Sequence, residues 1–128
     1  MKSETQTWLD YAEENLQSSK ILLDRNLYNP SLQNAQQSVE KSLKSILIEN
    51  GINLKRTHDI LELKYLLQRN NILVDISDDE CDLLNTIYLP SKYPMDDATG
   101  DIEPNDELCR ISIDIAERVF VSAIDLTK

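Results

Sequence analysis

The chain has 128 residues, 23 acidic against 13 basic side chains for a net charge of −10, and only two glycines. That length suits one domain around one core, and scarce glycine leaves little material for hairpin turns, so the expected class is all-α over residues 1–128. No apolar run could span a bilayer, no apolar leader follows Met1, and the acidic balance disfavours duplex nucleic acid, whose binding is driven by phosphate neutralisation. The expectation is a soluble, cytoplasmic protein that does not bind membranes.

Taken in chain order, the first helix is expected over about Gln6 to Arg25, with Trp8, Ala12, Leu16, Leu22 and Leu23 on or near one face. Residues 27–31 form a turn, and Pro30 or Ser31 opens the second helix, so a brief link makes an antiparallel hairpin. The second helix carries an apolar stripe of Leu32, Ala35, Val39, Leu43, Ile46 and Leu47 and stops at Gly51, a residue suited to a left-handed cap. Each buried leucine contributes roughly 1.5 to 3 kcal/mol, so the seam of this hairpin should anchor the domain. Glu40 and Lys44 stand four apart in the orientation of a surface ion pair. In a functional reading, Lys41 and Lys44 attract a nucleotide phosphate or the acids of a partner.

Thr57 is the expected N-cap of a third helix, with His58 and Asp59 in its first turn and Ile60, Leu63, Leu66 and Leu67 on its apolar side, ending near Arg69. Ser77, Asp78, Asp79 and Glu80 match a capping box for a fourth helix that buries Cys81, Leu84 and Ile87, runs to about Tyr88 and is stopped by Pro90. A long acidic loop follows, and Asn105 caps a last helix to about Leu126 through Leu108, Ile111, Ile115, Val119 and Phe120. Ile113, Ala116, Ala123 and Ile124 widen that stripe beyond what one neighbour needs, which suggests a central helix or one shared with a second subunit, a homodimer being the natural inference. Ile72-Leu73-Val74 is too short to act as a strand. Cys81 and Cys109 read as small buried hydrophobes, and two cysteines with one distant histidine make no zinc site. The acids Asp96, Asp97, Asp101, Glu103, Asp106 and Glu107 lack calcium-loop spacing, so no metal is expected.

His58 is the only histidine, so any imidazole chemistry must use it. It could serve as general acid or base in RNA cleavage or nucleotidyl transfer, or simply pack at a helix start, since the sequence identifies no nucleophile or orienting acid beside it. Tyr88-Leu89-Pro90-Ser91-Lys92-Tyr93-Pro94-Met95-Asp96 places a cation and a phenol between prolines. Lys92 and Tyr93 could grip a phosphate and stack a base, or Tyr93 and Pro94 could pin the loop to the bundle.

Gln36-Gln37, the Val-Glu-Lys-Ser-Leu-Lys run at 39–44, the Gly51 stop, His58 before a leucine-rich helix and the Tyr88-to-Asp96 segment together resemble the HEPN family (higher eukaryotes and prokaryotes nucleotide-binding domain) from Trp8 into the last helix. Lys92 stands where that family's segment has arginine, which weakens bidentate phosphate recognition. The resemblance implies an up-and-down antiparallel bundle of four to five helices, dimeric, with a minimal nucleotidyltransferase as partner and in some cases a toxin–antitoxin pairing. Ribonuclease members of the family carry arginine, four to six residues, then histidine on one helix. Here the nearest pair is Arg56-Thr57-His58, and neither Arg110 nor Arg118 is followed by a histidine. The resemblance therefore implies a non-catalytic nucleotide-binding or partner subunit without a resident cofactor, ATP or another nucleotide being the candidate ligand. The contact residues would be His58, Lys92, Tyr93, Lys41 and Lys44. The alternative is a ribonuclease toxin using His58, with Arg56 or an arginine of a second subunit, in a composite dimer site.

Overall fold

A computed structural model describes residues 1–53, 56–92 and 103–128, apart from the side chains of 89–92. Five helices follow one another: α1 (Ser3–Asp24), α2 (Tyr28–Glu49), α3 (Ile60–Arg69), α4 (Asp78–Lys92) and α5 (Asp106–Leu126). The described residues contain no strand. The protein is all-α, and α2 is its centre, packing against each of the other four helices.

The whole expected stripe of α2 is buried, Leu32 at 2% exposure and Ala35, Val39, Leu43, Ile46 and Leu47 at 0%. The seam with α1 is built from small side chains. The Ser19 hydroxyl donates to the Ser31 carbonyl (2.6 Å), the Ser31 hydroxyl returns a bond to the Ser19 carbonyl (2.8 Å), and Ser38 donates to the Ala12 carbonyl (2.8 Å). With Ala12 and Ala35 also buried, the two backbones approach closely while these three hydroxyls keep partners; the buried Ser42 hydroxyl has none among the described residues.

Helix ends follow local chemistry. Gly51 sits at φ 67, its N–H bonded to the Ile48 carbonyl (3.1 Å) while the Ile52 N–H reaches the Leu47 carbonyl (2.9 Å), the left-handed cap expected there. Asn26 and Asn71, at φ 60 and 63, close α1 and α3 in the same way, asparagine being the next most tolerant residue in that region. The capping box of α4 is reciprocal: the Ser77 N–H donates to Glu80 Oε1 (3.0 Å) and the Glu80 N–H to Ser77 Oγ (3.1 Å). Asn105 caps α5 by accepting from the Leu108 N–H (2.8 Å).

Several expectations need correction. The second helix opens two residues earlier, at Tyr28, and carries Pro30 in its first turn, where a missing N–H costs nothing. Asp59, not Thr57, caps α3, its carboxylate accepting from the Glu62 N–H (3.1 Å), so His58 lies just before the helix rather than in its first turn. The backbone of α4 passes through Pro90 to Lys92 instead of ending at Tyr88, because proline removes one hydrogen bond but its φ remains helical. Glu40 and Lys44 are not a surface pair, being 4% and 8% exposed, since α2 packs against all four other helices and keeps a half-buried edge at Asn34, Gln37 and Lys41. Part of the breadth of the α5 stripe is met within the chain. α5 packs on both α2 and α1, burying Ile113, Ala116 and Ala123, while Ile111, Val121 and Ile124 stay exposed.

Cys81 and Cys109 are free and buried, and burial pushes the Cys81 thiol up to about 12. Among the described residues no group of three or more histidine, cysteine or acidic side chains could hold a metal, and no helix is long and apolar enough to cross a membrane. Asp96, Asp97 and Asp101 lie outside the described residues.

Ion pairs fasten the start of α4. Arg118 grips the Glu80 carboxylate with both terminal nitrogens and donates to the Asp75 carbonyl (3.1 Å), holding the Glu80 carboxyl below its ordinary 4.5. Lys64 (2.7 Å) and the Tyr65 hydroxyl (2.8 Å) hold Asp78 below 3.8. In both cases the folded state binds protons less readily than the unfolded chain. Their stabilisation is therefore complete above the unfolded values and is lost as pH falls through the lower folded ones. The thermal midpoint should be level from neutrality to about pH 5 and fall steeply below about 4.5, and Arg118→Gln should flatten that acid limb in a pH series of thermal melts.

Candidate functional site

The site begins on α2. Gln36, Glu40 and Lys44 recur every four residues and so share one helix face, and all three are buried. Glu40 is the hub. Its Oε2 accepts from Lys44 Nζ at 2.9 Å, and its Oε1 accepts from Gln36 Nε2 at 3.4 Å. Gln37 Nε2 donates in turn to Gln36 Oε1 (2.7 Å), and the Lys44 ammonium lies 5.8 Å from the centre of the Trp8 ring.

His58 enters from the loop before α3 and sets Nδ1 2.9 Å from Glu40 Oε1, while its side chain remains 55% exposed. A carboxylate on Nδ1 fixes the ring and leaves Nε2 as the nitrogen available to anything outside. On its other side the imidazole stacks on Tyr88 of α4, with ring centroids 4.8 Å apart and planes 22° from parallel.

Asn85, one turn earlier on α4, ties the start of α3 to the same place. Its Oδ1 accepts from the Ile60 N–H (2.9 Å) and its Nδ2 donates to Asp59 Oδ1 (2.8 Å). Thr57 Oγ1 accepts from the Asp59 N–H (3.1 Å), bracing the loop that presents His58. His58, Asp59, Asn85 and Tyr88 line an open cavity of about 220 Å³.

The expected site residues therefore divide. His58 and Lys44 meet through Glu40. Lys41, three residues before Lys44, turns instead to α1, where Nζ bonds Asn15 Oδ1 (2.7 Å) and sits 5.7 Å from the Tyr11 ring centre. Desolvation by burial lowers the Lys41 pKa, and the two lysines do not form one basic patch. Lys92 closes α4 one turn beyond Tyr88, but its side chain, like all of Tyr93, lies outside the described residues.

Glu40, Tyr88, Asn85 and Asp59 are the members that sequence reasoning did not assign. The four-residue spacing of Gln36, Glu40 and Lys44 was the available signal, but a solvated face has the same spacing. Chemically the arrangement can offer one oriented imidazole, two near-parallel rings and a carboxylate at the rim.

The HEPN domain family matches residues 5–124 of this sequence. The chain belongs to the HEPN family. Two Methanocaldococcus jannaschii proteins are similar over shorter stretches. The protein named Putative toxin MJ1304 is 49% identical over 45 residues, covering 35% of this chain and 30% of that protein. Putative toxin MJ0605 is 29% identical over 63 residues, covering 49% and 47%. The chain thus spans less than half the length of these curated relatives. The crystal structure of TT1696 from Thermus thermophilus superposes with a TM-score of 0.77 at 21% identity, over 98% of this chain and 99% of that one. An archaeal HEPN homologue of known structure gives 0.67 at 20% identity over the whole of both chains. At those identities the two structures establish the shared HEPN fold.

Proposed function

We propose that this chain is the HEPN subunit of a toxin–antitoxin pair, a homodimer that works beside a minimal nucleotidyltransferase and contacts a nucleotide without cleaving RNA. The observation that carries this reading is the His58–Tyr88 stack, open to solvent and held from behind by the buried Glu40–Lys44 pair. Stacked rings beside a small cavity suit a nucleobase, whose faces pair with any aromatic partner. The names of the Methanocaldococcus relatives support a toxin-type pairing. The exposed Ile111, Val121 and Ile124 of α5 supply apolar surface for a second copy. The absence from the sequence of an arginine and a histidine with four to six residues between them argues against the ribonuclease chemistry of the family.

Titrating the purified protein calorimetrically with ATP and Mg²⁺ should give micromolar binding, weakened at least tenfold by His58→Ala. No heat, or heat indifferent to His58→Ala, would overturn the nucleotide site.

One observation favours the second reading, a ribonuclease toxin. Glu40 orients His58 through Nδ1 and leaves Nε2 able to move a proton, the arrangement a general acid or base requires. That reading expects RNA cleavage by the purified dimer, abolished by His58→Ala and reduced by Glu40→Gln. Intact RNA after prolonged incubation would count against it.

A further inference from the structure

We propose that the His58–Tyr88 cavity is a base-binding subsite that takes the uncharged ring of a nucleoside and keeps the phosphates outside. This inference rests on the nucleotide reading above and specifies which part of the ligand the site recognises.

Size is the first reason. Pockets that enclose drug-sized ligands run from about 300 to 1,000 Å³. At about 220 Å³ this cavity has room for one ring system and not for a nucleoside triphosphate.

Charge is the second. Among the described residues, the lining contains the Asp59 carboxylate and no side chain of fixed positive charge. Asp59 Oδ1 is engaged by the Glu62 N–H and by Asn85 Nδ2, while Asn85 Oδ1 accepts from the Ile60 N–H. The amide is therefore committed to holding the α3 start in place. Lys44, joined to the site through Glu40, is 8% exposed and already paired with that carboxylate. A polyphosphate placed here would face the Asp59 carboxylate, in a chain of net charge −10. A base or ribose meets a favourable set instead: two ring faces for stacking, and a carboxylate that accepts from amino or hydroxyl donors.

The test compares adenosine, AMP and ATP without Mg²⁺ at one ionic strength, using the full chain, its Asp59→Asn variant and, to assign the heat to this cavity, His58→Ala. Asparagine caps helices as well as aspartate does, so Asp59→Asn should fold normally. Adenosine should bind at least as tightly as AMP, and ATP several-fold more weakly. Asp59→Asn should raise ATP affinity several-fold relative to adenosine. Affinity that rises tenfold or more from adenosine to ATP would overturn the inference while leaving a nucleotide site in place. Equal affinities untouched by Asp59→Asn would overturn it too. Failure of all three ligands to bind would remove the nucleotide reading and this inference together.

Discussion

Glu40→Ala lowers the unfolding free energy by about 3 kcal/mol and the thermal midpoint by roughly 10 °C, the low end of what is seen when one partner of a buried ion pair is removed. The loss comes from the partner left behind. Lys44 is 8% exposed, and without Glu40 its ammonium keeps, among the described residues, the Trp8 ring, 5.8 Å away, as its favourable neighbour. That contact recovers a small part of the lost attraction, because a cation over an aromatic face contributes about 1 to 2 kcal/mol. Glu40→Ala with Lys44→Met removes charge and counter-charge together and should regain most of the loss, since a buried pair replaced by apolar groups is often neutral. Urea melts of both variants decide it. If the double variant is no more stable than Glu40→Ala, the cost lies in lost packing rather than in a stranded charge. The same substitution frees Nδ1 of His58, so nucleotide binding should weaken in Glu40→Ala even at temperatures where the protein stays folded.

The second large effect lies in the core. Leu43→Ala should cost about 3 to 4 kcal/mol, read as a lower urea midpoint at unchanged slope. Leu43 is fully buried at the middle of the one helix that touches every other, so the cavity left by truncation has little room to collapse. Leu73→Ala is the control. Leu73 is 77% exposed in the link between α3 and α4, and the same chemical change there should stay within about 0.5 kcal/mol. Similar losses at both positions would mean that α2 is not the organising element.

Much of the fold is legible residue by residue. The stripe from Leu32 to Leu47 gives a buried helix, Gly51 its stop, Ser77 with Glu80 a capping box, and Asn105 a cap. The site was half legible. His58 stands out because it is the only imidazole, and Tyr88 lies at the start of a marked segment, yet nothing in the sequence pairs one with the other or either with Glu40. Pro90 does not stop α4, for a related reason. Proline's intrinsic cost is local, whereas the continuation of α4 to Lys92 depends on what the rest of the helix packs against.

By itself the sequence determined the helices, most of their ends and the face each one buries. Those features arise from a 3.6-residue period and from caps that act within a single turn. Only the tertiary structure decided that the polar side of α2 is interior and that residues 40, 58 and 88 meet. An i,i+4 pair of opposite charges looks the same on a solvated face as beneath other helices. Burial and the 18-residue reach from Glu40 to His58 depend on how α3, α4 and their loops pass over α2.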